Sequence, residues 1–382
     1  MGTRIDPKFK NELINFGALD IEKCFNCGNC TAICGHADEQ RSLPRSTMRQ
    51  LQLGLKRELM TSLEPWICYY CGDCSRTCPR QANPAENMMA VRRWLTSHYD
   101  FTGLFRKIYS SRAWEFGMIA LAVVAVLFLI AISGAFTPER MPTDPISINT
   151  FLPVVWVHYA DWTLALILLF FMATSAFRMW RLVMSDRSMP PVSFSLYVRQ
   201  IWVFFLHMFT QKSWRQCEGA TRWFKHLLLF TGYATMFLLI VVFLPWFQQD
   251  GPHDWHWTSL FGYYAAGVLM YVSGDAILSR LRKTEEIHKH SHRTDWTFLI
   301  LLFLVGLTGM LLHAARLLNS PLSYYAYVVH LACAVPIYFS AFAKWSHLVY
   351  RPLAMFLIDV REKTLAAQQK PVSIAPVRAL AS

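Results

Sequence analysis

The chain has 382 residues, of which 54% are hydrophobic and only 16% are charged, whereas soluble proteins carry about 25% charged residues. With a mean hydropathy of +0.26, this composition argues against intrinsic disorder and against a purely soluble enzyme. The net charge of +12 is typical of basic loops beside a membrane, so no nucleic-acid partner is predicted.

Eight of the ten cysteines lie in two copies of one motif near the N-terminus. The segments CFNCGNCTAIC from Cys24 and CYYCGDCSRTCP from Cys68 both read C-x₂-C-x₂-C-x₃-C, which is the spacing of two-cluster ferredoxins. In such proteins the first three cysteines of a motif hold one cluster and the fourth holds the other. The motifs therefore predict two [4Fe–4S] clusters, one held by Cys24, Cys27, Cys30 and Cys78 and the second by Cys68, Cys71, Cys74 and Cys34.

The stretch between the motifs predicts one helix that packs on the clusters. Within residues 44–60, helical spacing is followed by Met48, Leu51, Leu55 and Leu59. Gly28 and Gly72 leave room beside the inorganic cores. The sequence holds no G-x-G-x-x-G or G-K-[ST] motif, so flavin or nucleotide chemistry is expected on another subunit.

Long apolar runs follow residue 110. A run of roughly 18 or more apolar residues predicts a membrane helix. Six candidates occur, at about 114–137, 152–177, 226–248, 257–278, 296–316 and 323–348. We therefore predict a mainly α-helical chain, with an α-helical two-cluster ferredoxin-type domain at 1–110, a six-helix membrane bundle at 111–352 and a tail at 353–382 that is loose from residue 364.

The charges of the loops predict the orientation of the bundle. The connections 178–225 and 279–295 are rich in Lys and Arg, while the opposite loops hold one Arg and no Lys. Because basic loops stay in the cytoplasm, both termini and the cysteine-rich domain are predicted on that side.

This orientation bears on the cysteine motifs, because the reducing cytoplasm disfavours a disulfide framework. Zinc sites are also disfavoured, since they are built from cysteine pairs rather than quartets. Residues 193–210 predict an amphipathic helix along the membrane surface.

Histidines inside the apolar runs are costly and indicate function. His226 opens the third run and His347 closes the sixth, so both lie near the cytoplasmic face, while His158, His313 and His330 lie toward the outer ends. Because imidazole is an axial ligand of haem iron, two levels of histidine predict a cytochrome b with two haems. The inner haem is assigned to His226 and His347, and the outer haem to His330 with His313, or with His158 as the alternative.

Three polar residues are candidates for a quinone site beside a haem, although each also fits an interface anchor; these are His207, Arg316 and Lys344. The two remaining cysteines, Cys217 and Cys333, are predicted to be inert packing or exposed residues.

The segment from Cys24 to Pro79, with PRSTMRQLQLGL between the motifs, resembles the iron–sulfur C subunit of heterodisulfide reductase. Residues 150–352 are similar to the membrane cytochrome b of the nitrate reductase gamma and heterodisulfide reductase E family, through KHLLLFTGY at 225–233 and VVHLACAVPIYFSAFAKWSHLVYRP at 328–352. The fusion resembles the C subunit of the quinone-interacting membrane-bound oxidoreductase of sulfate reducers. Where the nitrate reductase pattern has a second histidine in the third span, this chain has Met236, which leaves the outer haem's second ligand open.

The resemblance implies a prokaryotic inner membrane, menaquinone or menaquinol as redox partner, soluble flavin and iron–sulfur subunits, and adenylylsulfate reductase as recipient. We therefore predict an electron-transfer subunit of a quinone-dependent oxidoreductase, in which haems and clusters link the quinone pool to soluble partners. The alternatives are the membrane subunit of a heterodisulfide reductase-type thiol–disulfide oxidoreductase and a redox-responsive membrane anchor or sensor. A transporter is disfavoured because Asp161 and Asp275 lie near span ends rather than at mid-membrane.

Overall fold

The computed structural model describes residues 4–185, 190–217, 220–250 and 256–368, and within them the chain is helical with no strand. The N-terminal part contains α1 (Phe9–Ile14), α2 (Asn29–Ala32), α3 (Arg45–Leu53), α4 (Lys56–Thr61), α5 (Glu64–Ile67), α6 (Asp73–Arg76), α7 (Pro84–Tyr99) and α8 (Leu104–Ser110). The remainder contains α9 (Arg112–Ile132), α10 (Ile148–Phe151), α11 (Val154–Met184), α12 (Phe194–Thr210), α13 (Ala220–Val241), α14 (Leu244–Phe247), α15 (Ser259–Arg282), α16 (Glu286–Lys289), α17 (Arg293–Leu317), α18 (Leu322–Lys344) and α19 (Ser346–Gln368). Short 3₁₀ turns lie at Ile21–Lys23, Pro138–Arg140 and Lys212–Gln216. The predicted mainly α-helical fold is confirmed.

Helix α7 is the centre of the N-terminal part and packs against α1, α3, α5, α6 and α8. Its buried Trp94 meets Phe9 of α1 edge to face, with ring centroids 4.9 Å apart. The single helix predicted over residues 44–60 is wrong, because Gly54 ends α3 with a φ of +66°. A Cβ at Gly54 would strike the backbone oxygen of Asp6, so the chain turns there and restarts as α4.

The step from the N-terminal part to the apolar helices falls at Ser111. Helix α8 ends at Ser110 and α9 begins at Arg112, next to the predicted boundary at residue 110. The Ser111 hydroxyl caps α9 by accepting a hydrogen bond from the backbone of Trp114 at 3.5 Å, which satisfies one of the free amides of the first turn.

Five described helices are long and apolar enough to cross a membrane, namely α9, α11, α13, α17 and residues Leu322–Phe339 of α18. The fourth predicted span is present as the 24-residue helix α15, but its composition does not reach that level of hydropathy, so the predicted count of six is not confirmed. Helix α15 packs between α13 and α17. It buries one face, which includes Leu269 and Ser273, while Leu260 and Tyr271 are exposed.

The sixth predicted span, 323–348, is two helices rather than one. Helix α18 contains Pro336 and ends at Lys344, and α19 begins at Ser346. The tail predicted from 353 also begins as helix, because α19 continues to Gln368 and buries Phe356, Leu357 and Val360 against α12, α11 and α5. The rest of the predicted loose tail, residues 369–382, lies outside the described residues.

The predicted amphipathic segment 193–210 forms the single helix α12. Its Val203 is buried, while Trp202 and Phe205 on other faces are about half exposed. Helix α12 lies against α19, and the apolar helices follow one another in contact in the order α13, α15, α17, α18 and α9. Helix α11 touches α13, α18 and α19 of the apolar part and α4 and α7 of the N-terminal part, so it lies between the two parts.

Candidate functional site

The two cysteine loops have the same backbone conformation. The second residue after the opening cysteine has a positive φ in each copy, +61° at Asn26 and +58° at Tyr70. The glycine after the second cysteine follows suit, with φ of +90° at Gly28 and +91° at Gly72. These glycines cap the short helices α2 and α6. The two copies therefore turn in the same way between their first and third cysteines.

One group of thiols is formed by Cys30 with Cys24, Cys27 and Cys78. Burial, together with the electrostatic influence of the other three thiols, raises the pKa of Cys30 to about 11. All ten cysteines are free thiols. We call this group the first cysteine site; it brings together the predicted ligands of one cluster, including the fourth cysteine of the other motif.

The second cysteine site consists of Cys34, Cys68, Cys71 and Cys74. Burial raises the pKa of Cys34 to about 11, with a further contribution from the charges of Cys68 and Cys71. Burial also raises the pKa of Cys74, and the same two thiols act on it. In the described residues no three His, Cys, Asp or Glu side chains are arranged to hold a single metal ion. The spacing of the two quartets is that of cysteines that hold a polynuclear cluster, whose iron would let buried thiols bind as thiolates.

The two sites differ in exposure. Cys27 of the first site is exposed, and the neighbouring Phe25 is 60% exposed. In the second site Cys74 is buried. The first site therefore reaches the protein surface at Cys27, while the second is more enclosed; the other three cysteines of each site are half-buried.

The second cysteine site is held by residues of the apolar part of the chain. The guanidinium of Arg222, at the start of α13, donates to the backbone oxygen of Cys71 at 2.7 Å. Arg351 of α19 donates to the backbone oxygen of Cys68 at 3.1 Å. A Cβ at Gly72 would lie 2.8 Å from Cγ2 of Ile287 in α16. Three separate elements thus converge on this one loop.

The two histidines predicted for the inner haem, His226 and His347, lie side by side near the second cysteine loop. The rings of His226 and His347 have centroids 5.8 Å apart at an interplanar angle of 66°, and Trp214 packs against His226 at 4.8 Å. Nδ1 of His226 is buried without a hydrogen-bond partner. Arg222 and Arg351 are each four residues from one of these histidines, so each lies about one helical turn away, roughly 6 Å along the axis.

A cavity of about 480 Å³ lies farther along the bundle and is lined by both His330 and His313. Nδ1 of His330 is 3.0 Å from the hydroxyl of Thr308, which leaves its Nε2 available. Nε2 of His313 is 2.7 Å from the hydroxyl of Tyr263. The two histidines predicted as ligands of the outer haem, His330 and His313, therefore line the same cavity.

The alternative outer ligand, His158, is not among the residues that line this cavity. Its Nε2 lies 2.8 Å from the backbone oxygen of Val241 and accepts from Trp162 at 2.9 Å. Of the three quinone-site candidates, Arg316 lines the cavity. His207 lies on α12 near Ser213, and Lys344 forms an ion pair with Asp295, so neither is placed at the cavity.

Sequence reasoning missed two features of the site. The cavity is also lined by Asp161, His256 and Tyr263, which no motif marks. Cys217, predicted to be inert or exposed, has its Sγ 3.4 Å from Nε2 of His36 and within hydrogen-bonding contact of Cys71. It adjoins the second cysteine site because a loop of the apolar part reaches it, and the linear sequence carries no signal for that approach.

Comparison with known proteins supports the first part of this picture. Residues 23–83 match the model of the 4Fe-4S dicluster domain family. A protein of Archaeoglobus profundus that is named for its likeness to the C subunit of heterodisulfide reductase is 32% identical over 98 residues, which are 25% of this chain and 52% of that protein. The iron–sulfur C subunit of the CoB–CoM heterodisulfide reductase of Methanopyrus kandleri is 34% identical over 88 residues, 23% of this chain and 44% of the relative.

A third relative is the C subunit of the H₂:CoB–CoM heterodisulfide, ferredoxin reductase of Methanothermobacter thermautotrophicus, 32% identical over 88 residues, 23% of this chain and 48% of the relative. The chain spans about half the length of the curated relatives it matches. No solved structure matches it. The N-terminal part is thus a 4Fe–4S dicluster domain similar to the C subunit of heterodisulfide reductase, joined to helices of membrane-spanning character.

Proposed function

We propose that this chain is the membrane subunit that passes electrons between the menaquinone pool and soluble flavin and iron–sulfur subunits, through two b haems and two [4Fe–4S] clusters, with adenylylsulfate reductase as the recipient in sulfate respiration. The observation that carries the proposal is the adjacency of the His226–His347 pair to the second cysteine site. Arg222 and Arg351 each lie one turn from a histidine and donate to a cysteine carbonyl. A haem and a cluster bound there would be immediate neighbours.

The residues present fit an inner haem. Two imidazoles from different helices lie with ring centroids 5.8 Å apart. Nδ1 of His226 is buried without a hydrogen-bond partner, whereas buried polar atoms are normally hydrogen-bonded. A haem bound there supplies a one-electron centre. The chain's own contribution is to fix both ligand rings, with Nδ1 of His347 held by the backbone oxygen of Lys344.

The cavity of about 480 Å³ is proposed as the outer redox site. His330 and His313 are the axial candidates there, and Arg316 is the polar residue at the same space that suits a quinone oxygen. The largely apolar lining suits a porphyrin or a quinone ring. Both are proposed to use this end of the bundle, so electrons enter or leave far from the cysteine sites.

The two cysteine sites would then act in series. The second site lies beside the inner histidines, and the exposed first site, with Cys27 and Phe25 at the surface, offers electrons to a soluble partner. From the basic loops we propose the cytoplasmic side of the membrane for this partner. The direction of flow follows the potentials of the donor and acceptor.

The haem proposal is tested by difference spectra of membranes that contain the chain. His347→Ala should abolish one of two b-type haem signals and His330→Ala the other, while His288→Ala, in a basic loop, should leave both. A menaquinol analogue should reduce both haems of the unaltered protein. An unchanged spectrum in His347→Ala would reject the inner ligand.

The cluster proposal is tested by electron paramagnetic resonance of anaerobically purified protein. Cys34→Ser and Cys71→Ser should each remove the same signal, although they lie in different motifs, and Cys27→Ser should remove the other one. If Cys34→Ser instead matched Cys27→Ser, each motif would hold its own cluster and the crossed assignment would fail.

A second candidate function is favoured by the matched relatives, which carry the name of a heterodisulfide reductase. In that case the soluble partner would reduce a disulfide with electrons that pass through the same haems and clusters. Supplying the purified complex with a menaquinol analogue and either adenylylsulfate with its reductase or a heterodisulfide separates the two, since only one acceptor should reoxidise the haems.

A further inference from the structure

Two arginines flank the second cysteine site, the buried Arg92 and the half-buried Arg351. Arg92 of α7 is 5% exposed, and its Nε donates to the backbone oxygen of Pro65 at 2.5 Å. Arg351 of α19 donates from Nε to the backbone oxygen of Trp66 at 3.1 Å and from Nη2 to that of Cys68 at 3.1 Å. Both guanidiniums therefore donate hydrogen bonds to the backbone of residues 65–68, which lead into the second cysteine loop.

Neither arginine is paired with a carboxylate among the described ion pairs. The thiol of Cys68 and the phenol of Tyr69 are the neighbours that favour the charged form of Arg92, while Arg351 and Arg93 disfavour it. Those that face Arg351 are Tyr69, Cys68 and Cys217. Nη2 of Arg92 is buried with no hydrogen-bond partner, and burial lowers the pKa of Arg92 to about 9.

A buried cation needs a counter-charge, since removing it from water is expensive. Here the groups that can supply one are the thiols of the second cysteine site. Four thiolates around a [4Fe–4S] core give a net negative charge, and reduction by one electron makes it more negative without forming or breaking a bond. Cations held at low dielectric favour that reduced state more strongly than cations in water do.

We propose that Arg92 and Arg351 are the counter-charges of the cluster at the second cysteine site and raise its reduction potential, so that an electron is held beside the inner histidine pair. The inference rests on the proposed function in assuming a cluster at this site. The arginines are positioning residues that act through the cluster's environment and do not ligate it.

The first cysteine site lacks such an arrangement among the described residues. The charges that act on Cys30 are those of its three partner thiols. Arg80 lies near the site, with its guanidinium 5.9 Å from the ring centre of Phe25, but it is exposed. Solvent and salt screen an exposed charge, which makes Arg80 the matched control for a buried arginine.

The test is a redox titration followed by electron paramagnetic resonance on the anaerobically purified full chain, with signals assigned through Cys71→Ser and Cys27→Ser. Arg92→Met should shift the second-site cluster to lower potential and leave the first-site cluster unchanged. Arg92→Lys, which keeps the charge, should restore most of the potential. Arg80→Met should move neither cluster. Arg351→Met and Arg351→Lys repeat the comparison if Arg92→Met fails to fold.

Unchanged potentials in both methionine variants would overturn the proposal. Equal shifts for methionine and lysine would also overturn it, because they would show that the hydrogen bond to the Pro65 oxygen matters and the charge does not. If the unaltered protein shows no cluster assigned to Cys71, the proposed function fails instead, and that outcome is separate from a cluster that is present but insensitive to the arginines.

Discussion

The equivalent glycines of the two cysteine loops allow backbone strain to be separated from packing. Gly28 and Gly72 have φ of +90° and +91°, so alanine at either position pays about 1–2 kcal/mol for a left-handed conformation. At Gly28 a new Cβ would meet nothing closer than Nη1 of the flexible Arg45, at 3.5 Å. At Gly72 it would lie 2.8 Å from Cγ2 of Ile287.

The Ile287 contact adds a packing cost to Gly72→Ala. A β-branched side chain is stiff at χ1, so Ile287 cannot simply swing aside, and overpacking of this kind costs about 1–3 kcal/mol. We therefore expect Gly28→Ala to destabilise its loop by about 1–2 kcal/mol and Gly72→Ala by about 2–5 kcal/mol. The larger loss includes separation of the second cysteine loop from α16.

The assay is the rate at which cluster absorbance bleaches in urea under anaerobic conditions, since large membrane proteins usually unfold irreversibly and are compared by rate. Bleaching should be faster in Gly28→Ala than in the unaltered protein and fastest in Gly72→Ala. When Gly72→Ala is combined with Ile287→Ala, the contact with the Ile287 side chain is removed. The double variant should therefore bleach at about the rate of Gly28→Ala, because only the backbone strain remains. Equal rates for the two glycine variants, or no recovery in the double variant, would refute the reasoning.

Three further outcomes are expected. Burial raises the pKa of Glu86 from 4.5 to about 7; because the folded pKa lies above the unfolded value, the stability that protonation contributes is lost as pH rises from about 4.5 to about 7. Glu86→Gln should flatten that part of the pH–stability curve, and an unchanged slope would contradict the assignment. Glu115 is 5% exposed and pairs with the partly exposed Arg293 at 2.7 Å. Glu115→Ala should therefore cost about 1–3 kcal/mol, the loss of a hydrogen bond between charged groups, measured as a lower melting temperature in detergent; a change within experimental error would show that the pair is solvated. Gly232→Ala should cost about 1–3 kcal/mol because its Cβ would lie 2.6 Å from Cγ1 of Val268, while Gly267→Ala, which faces open space, should gain up to about 1 kcal/mol; melting temperatures in the reverse order would contradict the packing of α13 on α15.

The spacing of the cysteines predicts a dicluster domain, and the match of residues 23–83 to that family agrees, while the division of the eight cysteines between two clusters stays a prediction. Their grouping depends on local geometry, because three ligands lie within one tight loop and the fourth on the next turn. The single helix over residues 44–60 was wrong for a reason that helical periodicity does not register. Gly54 sits where the backbone of Asp6 leaves no space for a side chain, and that contact joins residues far apart in the chain.

For the histidines, too, some features were predicted from local sequence and others depend on the fold. The depth of His226 and His347 followed from where they fall in the apolar runs, and the structure places their rings together. An unbroken helix would have carried His330 and His347 in different directions, since 17 residues are about 4.7 turns. The end of α18 at Lys344 and the start of α19 at Ser346 put the two histidines on separate helices, and the hydropathy of the chain does not predict that break.

The sequence by itself determined the iron–sulfur character of the N-terminal part and the helical class, because ligand spacing and hydropathy are properties of short stretches of chain. Only the tertiary structure decided which cysteine quartet adjoins the inner histidines, since Arg222, Ile287 and Arg351 reach the second loop from three elements distant in sequence. The same holds for Arg92 and Arg351, whose lack of a carboxylate partner among the described residues depends on which side chains the fold brings near them. Such proximity is a property of the packed molecule and leaves no periodic trace in the chain.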